Sequence, residues 1–261
     1  MQLDLQDHRV LVTGSSSGIG KAIAAAYLAE GARVLMHGLT REETEAAASD
    51  LSGAGSVEAA WADIGTAEGA ARLLDAAAAF GPLDVLVNNV GIFGAKAFED
   101  LTDADWQRTF DVNVMSAVRL SRAILPAMLA RNAGSILNIA SEAGLKPLPN
   151  MIHYSASKTA LIGLGRGMAE RTKGTMVRVN SILPGPTWTE GVERYFAGLA
   201  EQDGRPMDAI ITDYFRKEEP TSLIQRFIRP EEVARLVVFV SALSAMNGGA
   251  YRVEGGIIRS I

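Results

Sequence analysis

The β-branched run Arg9-Val-Leu-Val-Thr13 stops at a cluster of glycine and serine, Thr13-Gly-Ser-Ser-Ser-Gly-Ile-Gly20, and apolar residues at helical spacing follow over 19–28. A strand that meets a glycine-rich turn and then a helix commits the chain to a strand–helix unit. The rhythm repeats: strand-like stretches at 32–37, 56–61, 83–88, 135–139 and 176–183 alternate with helical patterns at 41–51, 66–80, 103–131 and 151–171. This alternation predicts one α/β domain over 1–261, three layers deep, with a doubly wound parallel sheet covered by helices on both faces.

Pro184-Gly185-Pro186 interrupts the rhythm. Residues 187–229 then mix short helix-like pieces with the aromatics Trp188, Tyr195, Phe196, Tyr214 and Phe215, before Pro230-Glu-Glu opens another helix and a last strand falls at 250–253. An irregular insertion beside a regular sheet predicts a lid or substrate loop.

Composition narrows the function classes. Hydrophobic residues make up 48% and charged residues 21% of 261 residues, ordinary globular usage that predicts a folded chain. The net charge of −5, with no basic block, argues against a nucleic-acid partner. The absence of cysteine removes disulfides and thiol nucleophiles and fits a reducing, cytoplasmic setting. The apolar stretch at 233–243 is broken by Arg235 and too short for a bilayer, so no membrane partner is expected. His8, His37 and His153 are scattered without a carboxylate cluster, so no metal is expected.

The glycines of the first turn have distinct physical uses. Gly14 permits a sharp turn, Gly18 lets the backbone approach a pyrophosphate, and Gly20 lets the new helix pack close to the sheet, with the anion seated on the helix N-terminus. The spacing G-x-x-x-G-x-G, followed by Asn88-Asn-Val-Gly91, Asn113, Ser141, Tyr154-Ser-Ala-Ser-Lys158 and Pro184-Gly185, resembles the short-chain dehydrogenase/reductase family over nearly the whole chain. The resemblance implies a Rossmann-type fold, a homotetramer, and hydride transfer between a nicotinamide dinucleotide and a small ketone, aldehyde or secondary alcohol. It also implies cofactor contacts from Ser16, Ser17 and Ile19 in the turn, from Asp63 and Ile64 after the third strand, from Asn89, Val90 and Gly91, and from Pro184, Gly185 and Thr187. Helix capping is a second use for Asp63.

The catalytic set can be argued from the residues. Tyr154 and Lys158 are four apart on a predicted helix and share a face, so the ammonium can stabilise a phenolate and make Tyr154 a general acid or base. His153, one residue away, points elsewhere. Ser141 follows a predicted strand whose carboxyl end faces the ligand crevice, so its hydroxyl can donate to a substrate oxygen. By resemblance, Lys158 also bonds the nicotinamide ribose and Asn113 holds a proton-relaying water. Ile92, Phe93, Met151, Trp188 and the insertion's aromatics are expected as apolar pocket walls, which together predict a fairly apolar substrate.

An acidic residue at the end of the second strand would favour NAD; this chain has Gly38, with His37, Thr40 and Arg41 nearby to meet a 2′-phosphate. NADP is therefore the favoured cofactor, with NAD the alternative. Val90 adds bulk where the family usually has alanine, and Glu142, next to Ser141, reads as a solvated rim residue, the alternative being a pocket-edge carboxylate that favours a cationic or hydroxylated substrate. Two rival functions remain: a 3-oxoacyl carrier-protein reductase docking through Arg131, Arg171 and Lys173, and a non-catalytic dinucleotide sensor.

Overall fold

The computed structural model describes residues 3–260; Met1, Gln2 and Ile261, the ends of the expected 1–261 domain, lie outside the described residues. Seven strands, β1 (Arg9–Val12), β2 (Arg33–Gly38), β3 (Val57–Trp61), β4 (Val85–Asn88), β5 (Gly134–Ile139), β6 (Val177–Pro184) and β7 (Ala250–Val253), form one parallel sheet in the order β3-β2-β1-β4-β5-β6-β7. The helices are α1 (Gly18–Ala29), α2 (Arg41–Leu51), α3 (Ala67–Phe80), α4 (Asp103–Phe110), α5 (Ser116–Arg131), α6 (Ile152–Glu170), α7 (Glu190–Asp203), α8 (Met207–Lys217) and α9 (Pro230–Ala242). Val10 of β1 pairs with Val34 on one side and Val85 on the other, so the strand order reverses at β1. A crevice opens at the carboxyl ends of strands where that happens.

The period of two along each strand divides the core. Val10 and Val12 pack with Ile23 and Tyr27 of α1 and Val233 and Val237 of α9. Leu11, between them, points through the sheet to Leu73 and Phe80 of α3 and Leu120 and Met128 of α5. Burying each such side chain contributes about 1.5–3 kcal/mol. Threonines set several helix starts: Thr40, Thr66, Thr102 and Thr189 each accept a hydrogen bond from the backbone N–H three residues on.

Two elements differ from expectation. The predicted 103–131 helix is interrupted by a π-helical turn, Asp111–Met115, that carries Asn113. This run, Asp103–Arg131, rather than 233–243, is long and apolar enough to cross a membrane by length and composition, but half of its most apolar stretch is buried within the protein. The segment 187–229 is largely regular, built of α7 and α8. It leaves and rejoins the domain at one point, where Trp188 N–H donates to Ile228 O and Ile228 N–H donates to Pro186 O. Its aromatics pack on one another: Phe196, Phe215 and Phe227 are buried in a small core of their own with Trp188 and Tyr214 beside them. Phe196, Tyr214 and Phe215 therefore turn into that core and are not the pocket walls expected from sequence, whereas Trp188 also lines a cavity beside the first glycine turn. The apolar spacing Met207, Ile210, Ile211, Tyr214, Phe215 already carried the helical signal.

Candidate active site

The turn after β1 has the backbone its glycines allow. Gly14 and Gly18 sit at φ +61° and +54°, where an L side chain is strained. At Gly20, a Cβ would lie 2.1 Å from the Gly14 carbonyl oxygen. Asn89 Nδ2 donates to the carbonyls of Thr13 and Gly14, while the backbone N–H groups of Asn89 and Val90 donate to Thr13 Oγ1, so the loop after β4 clamps the turn. Ser17 is the N-cap of α1, and its side chain makes no capping bond. The Gly18 N–H donates to the Glu190 carboxylate at 3.0 Å, which marks this helix start as an anion seat.

Beside the turn a cavity of about 490 Å³ is lined by Gly18, Lys21, Trp188, Thr189, Glu190 and Arg229, among others. None of Asn113, Ser141, Tyr154 and Lys158 lines it. Thr189 and Glu190 were not anticipated. Thr189 Cγ2 would lie 3.3 Å from a Cβ on Gly18, and its signal was a capping threonine ahead of a helical pattern.

The selectivity residues divide. His37 is only 2% exposed: its Nδ1 accepts from Gly14 N–H and its Nε2 lies 3.0 Å from Ala62 O. Burial pushes its pKa down to about 4, so the ring is neutral. With both nitrogens engaged by backbone, His37 braces the glycine turn and does not reach out to a phosphate, contrary to expectation. Arg41 is exposed, stacked 5.2 Å from the Trp61 ring centroid and paired with Glu45. At Gly38 a Cβ would sit 2.2 Å from Thr44 Oγ1 and 3.2 Å from Ser16, so the backbone there has no room for an acidic side chain.

Asp63 accepts from the Gly65 N–H and faces Arg108, whereas the cap of α3 is Thr66, so the capping use expected of Asp63 falls to its neighbour. Ile64 is buried in the core, which leaves its backbone as the part that can face a ligand. Gly91 passes so close to Lys158 that a Cβ would meet Nζ at 3.2 Å. Gly185 packs on Glu254, after Pro184 ends β6, and Thr187 Oγ1 donates back to Gly185 O.

The catalytic candidates converge at the end of β5 and the start of α6. Lys158, 4% exposed, donates to Ile139 O at 2.9 Å, and its Nζ lies 5.6 Å from the Tyr154 ring centroid. Burial lowers the lysine to about 8, with the Glu142 carboxylate opposing. Desolvation first and the Glu142 charge second raise the Tyr154 phenol above its ordinary value, while the Ser141 hydroxyl pulls it down. Tyr154 is thus a protonated phenol, a proton donor in waiting. Phe93, exposed, meets it edge-on at 6.2 Å, and His153 turns away against Trp106.

Asn113, fully buried, uses its amide to hold the loop after β4: Oδ1 accepts from Ile92 N–H, and Nδ2 donates to Ile92 O and Ser157 Oγ. Glu142 is buried, not on the solvated rim expected of it. It is 6% exposed and accepts from Ser141 Oγ at 2.5 Å, and burial pushes its pKa up to about 7. The short helical turn Glu142–Gly144 folds it inward instead of leaving it on the rim.

The family model for the short chain dehydrogenases matches residues 8–199. The chain belongs to the short-chain dehydrogenase family. Among its relatives within this oxidoreductase family, the uncharacterized oxidoreductase YvrD of Bacillus subtilis (strain 168) is 56% identical, with both chains covered completely. The D-threitol dehydrogenase of Mycolicibacterium smegmatis is 35% identical over 94% of this chain and 91% of its own. The L-sorbose reductase of Gluconobacter frateurii, solved with NADPH and L-sorbose, superposes with a TM-score of 0.95 at 30% identity, covering both chains completely. Like these short-chain dehydrogenase relatives, this chain is an oxidoreductase acting between alcohol and carbonyl groups.

Proposed function

We propose that this short-chain dehydrogenase reduces a ketone bearing further hydroxyl groups, with NADPH, and runs the reverse oxidation of the secondary alcohol. The observation that carries the reading is the convergence of the Tyr154 phenol, Ser141 hydroxyl and Lys158 ammonium at the carboxyl end of the sheet, beside the glycine turn. The bound dinucleotide supplies or takes up the hydride. Tyr154 gives its proton to the carbonyl oxygen, Ser141 donates a hydrogen bond to the same oxygen, and Lys158 favours the phenolate left behind.

The turn suits such a cofactor. Gly18 N–H already seats a carboxylate, as it would a phosphate oxygen, and Ser16, Ser17, Ile19 and Gly20 surround that seat. The crowding at Gly38, which excludes an acidic side chain, and the exposed Arg41 guanidinium support NADP over NAD. Asp63 and the Ile64 backbone would hold the adenine; Asn89, Val90, Gly91, Pro184, Gly185 and Thr187 would line the nicotinamide half. With the Asn113 side chain engaged, a relay water would rest on its backbone.

A hydroxylated substrate is supported by two relatives whose names specify D-threitol and L-sorbose, and Phe93 and Ile92 offer an apolar edge. The carrier-protein rival has less support. Arg131 donates to Leu83 O and Ala133 O, and Arg171 lies beyond the far end of α6, about 25 Å along the helix from Tyr154. The proposal includes a cytoplasmic homotetramer, checked by light scattering and cell fractionation. The central test is fluorescence titration with NADPH and NADH, then a panel of ketoses, simple ketones and an acetoacetyl thioester. Preference for NADPH and turnover of a ketose are expected; failure to bind either dinucleotide overturns the reading.

A further inference from the structure

Glu142 places a carboxylate where a catalytic hydroxyl has one proton to give. Ser141 Oγ accepts from the Ala143 N–H at 3.1 Å and donates to Glu142 Oε2 at 2.5 Å. A serine hydroxyl carries one hydrogen and two acceptor positions. While that hydrogen is directed at Glu142, none remains for a substrate oxygen or for the Tyr154 phenol beside it. If Glu142 is protonated, its own O–H can donate to Ser141 Oγ, and the serine proton is free to turn.

We propose that Glu142 is a positioning residue for carbonyl reduction: its neutral carboxyl releases the Ser141 hydroxyl toward the substrate oxygen, and its carboxylate holds that hydroxyl back. The inference rests on the reading of Tyr154 and Ser141 given above. Glu142 is not consumed, since the proton delivered to the product oxygen comes from Tyr154 and the carboxyl only redirects a hydrogen bond.

The surroundings set the balance between the two forms. From α6, Tyr154 and Lys158 face the carboxyl, and the lysine charge favours its ionised form. Beyond α8, buried Glu219 opposes ionisation while paired to Lys146 Nζ at 2.5 Å. Tyr214 of α8 is also within electrostatic reach. Desolvation outweighs the stabilising bond from Ser141 and brings the group to titrate near neutral pH. The carboxylate further raises the Tyr154 phenol, so one ionisation acts on both hydroxyls.

Infrared difference spectra of the full chain over a pH series read the carboxyl directly. The wild type is expected to lose a protonated-carboxyl band near neutral pH, Glu142→Gln to lack that band, and Ser141→Ala to move its midpoint to higher pH. A wild-type spectrum identical to that of Glu142→Gln overturns the proposal, as does an unmoved midpoint in folded Ser141→Ala. In turnover with NADPH and L-sorbose, the ratio of kcat in Glu142→Gln to wild type should rise by up to about tenfold between about pH 6 and about pH 8. Losing the Glu142 charge also lets Lys158 deprotonate earlier, which pushes the ratio the other way, so a rising ratio supports the proposal in spite of it, and where the ratio stays flat or falls the infrared midpoint of Ser141→Ala decides. If L-sorbose is not reduced, the infrared arm still decides the coupling, and inactivity toward the whole carbonyl panel sinks the functional reading alone.

Discussion

The Glu190 carboxylate, at the start of α7, lies 3.0 Å from the Gly18 backbone nitrogen at the start of α1. A negative group on that N–H competes with any phosphate that approaches it. Glu190→Gln should therefore tighten NADPH by about two- to fivefold, since an amide oxygen is a weaker acceptor and carries no repelling charge. Isothermal titration against the wild type checks this; an unchanged or weaker Kd would show that Glu190 swings clear or helps to hold the cofactor.

Tyr154→Phe removes the proton donor and leaves the glycine turn intact. A loss of about 10²–10⁴-fold in kcat is expected, with NADPH affinity within about twofold of the wild type. The pairing of those two readouts separates an enzyme from a dinucleotide sensor, which has no activity to lose.

Glycines in two helices should respond oppositely to alanine. At Gly20 a Cβ would lie 2.1 Å from Gly14 O and 2.6 Å from Asn89 Nδ2, so Gly20→Ala should cost about 1–3 kcal/mol and lower Tm. Gly198, in exposed α7, has nothing within 4 Å, and Gly198→Ala should gain about 0.5–1 kcal/mol from helix propensity. Thermal unfolding of both variants tests the contrast.

Two buried groups give stability opposite dependences on pH. The His37 pKa falls from 6.5 to about 4 on folding, so its contribution is present above 6.5 and is lost as pH drops through 4. The Glu142 pKa rises from 4.5 to about 7, so its contribution is present below 4.5 and is lost as pH rises through 7. Each is worth on the order of 3 kcal/mol across its window. Urea unfolding over a pH series should show His37→Gln flattening the acidic fall and Glu142→Gln flattening the neutral one. Variants that leave both slopes unchanged would refute these assignments.

What the sequence determined by itself was everything written in local spacing. The alternation of strand and helix patterns yielded the parallel sheet, the interval from Gly14 to Gly20 yielded the turn, and the four-residue step from Tyr154 to Lys158 put both on one face of α6, because backbone geometry repeats within a few residues. Even α7 and α8 had their periodic signal, obscured by the aromatics that pack on one another. Tertiary structure alone decided the burial of Glu142, the closure of both His37 nitrogens on backbone and the seating of Glu190 on Gly18. Desolvation and charge act through space between segments brought together only by folding, and no local pattern encodes them.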